Sequence, residues 1–356
     1  MQSPGLVGAE HRHIRGVSAM VVSDALDSLD SWQSPVLQSV APVIEQAGRV
    51  TLSSEKISQV AQWMAYEGFP PLGSAALFDF GPDPDTTIDF MLVLNTLNFA
   101  FTDFDSGLIF TTNYQGKTWS DSEALMACIH RAITAGVPLF SGDYLARVTR
   151  RDLEELFSGS CEMPMLEDRV ELLNEVGQTL VDKYQGSFAR FLRSCSPRLY
   201  AEGDGVLERL VAEFPRFHDV SDYRGGEVKF FKLAQLALWS IHLALAPQKH
   251  WALEDAHLVT GFADYIVPVA LRVMGILEYD PELEHHINSR VMVPQNSEPE
   301  VELRAASLMG IALLTNELNQ RRQGLAPLLQ PQVDYRLWKT YHTTHWPHHL
   351  TKTRMY

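Results

Sequence analysis

Apolar residues at helical spacing recur along most of this chain, each segment carrying its own start and stop signal, and they confine it to a mainly α architecture. Ser53-Ser54-Glu55-Lys56 opens a stretch with Ile57, Val60, Trp63 and Met64 on one face, stopped by Gly68. Ser120-Asp121-Ser122-Glu123 has the form of a capping box, in which serine and glutamate satisfy free helix N–H groups reciprocally. The helix it opens ends at Gly136. Thr149-Arg150-Arg151-Asp152 is a further start, ended by Gly159. Between 164 and 184, Val170, Leu173, Val176, Leu180 and Val181 share a face before Gly186. Similar patterns cover roughly 204–214, 228–245, 268–278 and 299–321.

Residues 69–85, rich in Pro and Gly, read as a loop, and Thr86–Leu97 fits either a helix or a buried strand. One clear β signal stands between Asn98 and Trp119. Phe99, Phe101 and Phe104 precede a turn at Asp105-Ser106-Gly107, and Ile109-Phe110-Thr111-Thr112 follow, the pattern of a short hairpin. There is no internal repeat. The expected organisation is a loosely ordered arm over residues 1–33, then a single compact helical unit over 34–356 with a small β hairpin.

Hydrophobic residues make up 46 % of the chain, ample for a packed core, and the formal net charge is −15. A partner of nucleic-acid chains needs a basic stripe, and none is present. A single phosphate is still compatible, since two or three cations in a cleft suffice. The three cysteines, Cys128, Cys161 and Cys195, form no CxxC pair, so a disulfide framework or structural zinc is not expected and a reducing cytoplasm fits. MQSPGLVGAEHRHIRG lacks the apolar region of a signal peptide. The longest apolar stretch, Leu233–Leu245, is broken by Gln235, Ser240 and His242, so neither a membrane span nor a membrane partner is expected.

A few polar residues stand where chemistry would need them. Asp264 lies in the apolar run Gly261-Phe262-Ala263-Asp264-Tyr265-Ile266-Val267-Pro268, ahead of a proline that suits a first helical turn. It reads as a helix cap or as a carboxylate kept ionised by the helix end. Lys232, in Phe230-Phe231-Lys232-Leu233-Ala234-Gln235, has apolar neighbours on nearly every side. Its ammonium must snorkel to solvent or meet a buried anion. Gln235 and Trp239 share its face. Arg304 reads as the partner of Glu300 in an exposed helical ion pair, or as a phosphate fork. Phe99, Phe101, Phe104 and Trp119 surround the hairpin with Asp103 between them, as core or as a ligand wall. His342, His345, His348 and His349 lack the spacing of a zinc site, and no metal or cofactor is expected. GxSxG, GxGxxG and Walker motifs are absent.

Several of these residues fall in motifs that resemble a known family. The run Asn98-Phe99-Ala100-Phe101 after an apolar stretch is similar to an LNFCFW-type motif. Arg131-Ala132-Ile133 with Gly136-Val137-Pro138, Asp143-Tyr144-Leu145-Ala146, Pro164 to Val170 and Gly186-Ser187-Phe188 follow in order. Phe214 to Asp219, Phe230 to Gln235, Phe262 to Pro268, Glu300 to Ala305 and Asp334-Tyr335-Arg336-Leu337-Trp338 continue it. Together these resemble the queuosine salvage proteins, queuosine 5′-phosphate N-glycosylases, over about residues 34–356. The resemblance implies a largely helical fold related to helix-hairpin-helix DNA glycosylases, and a nucleotide, not a tRNA, as substrate. Where the family motif closes on Trp, this chain has Phe101-Thr102-Asp103, so base stacking falls to Phe101 or Trp119.

Cleaving an N-glycosidic bond builds positive charge on the ribose, as in other glycoside hydrolyses. The resemblance gives Asp264 the role of stabiliser, nucleophile or base for water, and Lys232 that of substrate contact or partner of Asp264. Asp103 and Asp143 become candidates for the diol of the queuine side group and Arg304 for the phosphate, with Tyr265 in the substrate-binding set. The competing readings are a DNA or tRNA base glycosylase acting on a polymer, and a non-catalytic helical interaction protein.

Overall fold

The computed structural model describes residues 30–69 and 77–356. The expected arm over 1–33 lies outside the described residues except for its last four, a 3-10 turn at Asp30–Gln33. In chain order the α-helices span Pro35–Gln46, Ser54–Met64, Pro84–Thr96, Asp121–Thr134, Gly142–Leu145, Arg150–Leu156 and Leu166–Tyr184. Phe188–Arg193, Val206–Glu213, Lys232–Leu245, Val267–Val273, Pro281–Asn288, Glu298–Arg321 and Gln330–Tyr341 complete them. Three two-stranded antiparallel pairs are the regular β structure among the described residues.

Local chemistry explains most of the helix starts. Ser53 accepts the N–H of Lys56, and Thr149 and Asp152 form a reciprocal capping box. Asp83 accepts the N–H groups of Asp85 and Thr86, and Pro84 occupies the first turn, so 84–96 folds as a helix and not as a strand. The capping box expected at Ser120 does not form. Instead Asp121 adopts a left-handed φ of 58° and accepts the N–H of Ser122 on its own carboxylate at 2.7 Å.

The β structure departs further from the sequence pattern. The turn at 105–107 exists, closed by the Asp103 N–H on the Leu108 carbonyl and a lone bridge between Thr102 and Ile109. Regular pairing begins only at Thr111–Tyr114, against Lys117–Ser120. Its turn residues Gln115 and Gly116 both have positive φ, 51° and 75°. Such turns are usually announced by Asn-Gly, and glutamine in the first place hides the signal. Val220–Tyr223 pairs with Gly226–Lys229 around Arg224 and Gly225 in the same way, where helix was expected from 228. Val50–Leu52 pairs with Leu277–Tyr279, where helix was expected to 278; partners so distant in sequence leave no local pattern.

The Glu298–Arg321 helix is buried along most of its length, its buried residues following one another on every face, and so runs through the core. It packs against Pro35–Gln46, Ser54–Met64, Val267–Val273 and Gln330–Tyr341. Buried Glu302 is tolerated because its carboxylate accepts the N–H groups of Gly48, Arg49 and Val50 and the Tyr223 hydroxyl, the last at 2.8 Å. Of the helices it orients, Gln330–Tyr341 borders the cavity described next, and Val267–Val273 follows a loop that does. Among the described residues no helix is long and apolar enough to cross a membrane.

Candidate active site

A cavity of about 300 Å³ lies between the Lys232–Leu245 and Gln330–Tyr341 helices, the head of Asp121–Thr134 and the loop that precedes Val267–Val273. Lys232, Asp121, Asp264 and Asp334 reach it, with Phe101, Trp239, Tyr265, Tyr335 and Trp338 among its aromatic walls.

Asp264 meets both of its sequence readings at once. Its Oδ1 accepts the N–H groups of Ile266 at 3.0 Å and Val267 at 2.9 Å, which caps the following helix. The same carboxyl lines the cavity, and Oδ2 makes no hydrogen bond to any described residue. Burial raises its pKa above the ordinary carboxylate value, against the opposing pull of Lys232 and the two N–H groups. Burial thus opposes the ionised form that the helix end favours. Its loop is tied from three sides. Thr260 N–H donates to Gln235 at 3.0 Å, Phe262 N–H to Asp334 at 2.8 Å, and Arg304 Nε to the Ala263 carbonyl at 3.2 Å.

Lys232 opens its helix after Phe231, which holds a φ of 48° as the cap. Asp219 accepts the Lys232 N–H at 3.2 Å. The ammonium faces the cavity and forms neither a hydrogen bond nor a close ion pair with a described residue. Burial lowers its pKa, and the charge of Asp264 is the largest influence in the other direction. The two groups act on each other through the cavity, not as a contact pair.

Arg304 is a core residue, 1 % exposed, outside the cavity lining. It forks onto Asp219 at 2.9 and 2.6 Å, and its guanidinium lies 3.9 Å from the Phe230 ring and 4.5 Å from that of Tyr356. Glu300, its helical neighbour, is equally buried and 3.7 Å away, so the exposed ion pair is absent too. Arg304 thus holds both arms of the site. Through Asp219 it fixes the start of the Lys232 helix, and through Ala263 it fixes the loop of Asp264.

The remaining candidates divide. Phe101 and Tyr265 line the cavity. Asp103 does not; it accepts the N–H and hydroxyl of Ser106 and closes the 103–107 turn, bonds that hold its pKa low. Trp119 lies elsewhere, its indole N–H on the Tyr114 carbonyl at 3.0 Å and Lys117 over its ring. Asp143 is exposed on the short Gly142–Leu145 helix, also outside the lining. Asp121, Asp334, Tyr335 and Trp338 carried no site role in the sequence reading, although the last three belong to a resembling motif.

Two buried arginines were also overlooked. Arg216 donates to the carbonyls of Thr96 and Asn95, and Arg169 to those of Pro164, Leu97, Phe99 and Ala100. They flank the Phe99 ring at 5.0 and 4.2 Å. Cations are favourable at a helix C-terminus, and here they set the turn that presents Asn98 and Phe101 to the cavity. Burial lowers the pKa of each to about 9.

The family profile described as queuosine salvage protein matches residues 79–356. The chain belongs to the queuosine salvage protein family. A relative from Sphaerobacter thermophilus is 32 % identical over 325 residues, covering 90 % of this chain and 97 % of its own. One from Mus musculus is 25 % identical, covering 83 % and 85 %, and one from Schizosaccharomyces pombe 27 %, covering 79 % of each. All three bear the name queuosine 5′-phosphate N-glycosylase/hydrolase. Every residue lining the cavity falls inside the segment shared with the queuosine salvage family.

Proposed function

We propose that this chain hydrolyses the N-glycosidic bond of queuosine 5′-phosphate, releasing queuine for salvage into tRNA. The observation that carries the reading is the carboxyl of Asp264, immobilised on one oxygen and open on the other, in an aromatic cavity shared with the ammonium of Lys232. About 300 Å³ is the lower end of the range for small-ligand sites. Asp264 offsets the positive charge that grows on the ribose as the bond to the base lengthens. Trp239, Tyr335 and Trp338, with Phe101 and Tyr265, supply rings for the flat base.

Lys232 takes over the phosphate role that Arg304 cannot fill, being the one basic side chain among the described cavity residues. Residues 34–356 act as one N-glycosylase domain, and kinship with helix-hairpin-helix DNA glycosylases belongs to this reading through the family resemblance. A cytoplasmic setting is consistent with the unpaired Cys128, Cys161 and Cys195. A polymer substrate is disfavoured, since a net charge of −15 and a single cavity cation offer little to a chain of phosphates.

Three substrates test this. A charge-assisted phosphate contact is worth about 1.5–3 kcal/mol, so kcat/KM for the 5′-phosphate exceeds that for the nucleoside on the order of tenfold to a hundredfold. Queuosine inside intact tRNA reacts poorly. Efficient release of queuine from tRNA would reverse the assignment of substrate.

A further inference from the structure

The cavity holds more carboxyl groups than ribosyl stabilisation needs, and they occupy different environments. Asp264 and Asp334 are joined through one residue. The Phe262 N–H donates to Asp334 Oδ2 at 2.8 Å, while the Phe262 carbonyl accepts the Asp264 N–H at 2.8 Å. Both carboxyls line the same cavity, one from the loop and one from the Gln330–Tyr341 helix. Asp334 is 4 % exposed, and its Oδ1 bonds to no described residue.

If the substrate is a queuosine nucleotide, the departing base is a 7-deazaguanine. A carbon stands at position 7, so the lone pair that a purine would offer there is missing. A proton delivered to the ribose side of the ring, at N3, which is conjugated with N9, neutralises the electrons of the breaking bond. We propose that Asp334 is the catalytic acid that delivers this proton, working opposite Asp264; the assignment rests on the hydrolase reading above. As the C1′–N9 bond breaks, its electron pair leaves with the base and the Asp334 carboxylic proton moves to N3. Water adds its oxygen to C1′ and gives a proton to Asp264. Proton exchange with solvent then restores both carboxyls, and the net change is nucleotide plus water to queuine plus ribose 5-phosphate.

The environments support this division of labour. Burial and the neighbouring charge of Asp264 hold Asp334 well above the usual carboxylate range, opposed by the Phe262 N–H and Lys232. Burial raises Asp264 too, but there the charge of Lys232 is the largest opposing influence, and two carboxyls in unequal settings are the usual basis for separate acid and base roles. Burial raises the pKa of Asp121 as well, but Asp121 suits the acid role less, because it lies in the first turn of a 14-residue helix, accepts the Ser122 N–H, and feels Lys232 and His342, all of which oppose that rise. Tyr265 holds its proton too tightly to be an effective acid. The Tyr356 hydroxyl is committed to Glu300 at 2.9 Å.

The test compares two leaving groups. Asp334→Asn keeps an oxygen for the Phe262 N–H but has no acidic proton. With queuosine 5′-phosphate its kcat falls on the order of 10²- to 10⁴-fold, whereas with p-nitrophenyl ribofuranoside 5-phosphate, whose leaving group needs no proton, it stays within about threefold of wild type. Asp264→Asn, by contrast, loses activity on both. Equal losses on the two substrates would make Asp334 a loop anchor only, and an unchanged rate on queuosine 5′-phosphate would remove it from the reaction. Wild-type protein that releases no queuine at all would overturn the hydrolase reading itself, and the acid with it.

Discussion

At Asp264 two influences pull on one proton. Burial favours the neutral acid, while Lys232 and the N–H groups of Ile266 and Val267 favour the anion. An opposite charge favours the ionised form, so Lys232→Met raises the Asp264 pKa further. Activity that needs the anion is then lost sooner as pH falls, and the acid limb of kcat/KM moves upward by on the order of one pH unit. The free nucleoside is the substrate for this measurement, because a phosphate titrates near pH 6 on its own account. An unmoved limb would mean that Lys232 serves the substrate and not Asp264. Both residues were legible in sequence because each is a charged group in an apolar run. Arg304 was misread because its partner Asp219 is 85 positions away, whereas Glu300 stood next to it on the helix. Asp334 gave no such signal, since Tyr335 and Arg336 beside it suggest an ordinary half-exposed helix.

Helices with caps, such as 54–64 and 150–156, were readable because start, periodicity and stop are all local, and 166–184 was readable from its apolar face and the stop at Gly186. The strand pairs were not, for they depend on non-glycine residues in left-handed turns or on partners far along the chain. Close packing between elements is likewise invisible in a single pattern. A Cβ on Gly177 would lie 2.2 Å from Ala146 N and 2.6 Å from Leu145 C, where the Leu166–Tyr184 helix crosses the Gly142–Leu145 helix. Gly177→Ala gains helix propensity of about 1 kcal/mol yet drives a methyl into backbone, and a net loss of about 1–3 kcal/mol is expected in denaturant unfolding. Unchanged stability would show that the crossing can open. Arg304→Ala leaves Asp219 buried without its fork, at a cost of about 3–5 kcal/mol. The preference for nucleotide over nucleoside should survive in whatever fraction remains folded. A phosphate fork would behave the other way, losing that preference at little cost in stability.

For the molecule as a whole, the long buried helix 298–321 orients the helices of Asp334 and of the Asp264 cap, while Arg304 on that helix braces both the loop of Asp264 and the start of the Lys232 helix. Fold class and family were legible, the first from periodicity and the second from ordered motifs, several of which line or brace one cavity. What brings Asp121 and Asp334 to that cavity is tertiary packing, which no local spacing records. The net charge of −15 is in keeping with the single-nucleotide substrate proposed above, since it disfavours a polymer of phosphates. The most direct test of the account follows queuine by mass after queuosine 5′-phosphate is incubated with wild-type protein and with Asp264→Asn. Wild type should release queuine, and the variant should bind the nucleotide and keep its melting temperature yet release almost none. Near-equal release by the two would return Asp264 to the part of a helix cap and contradict the mechanism.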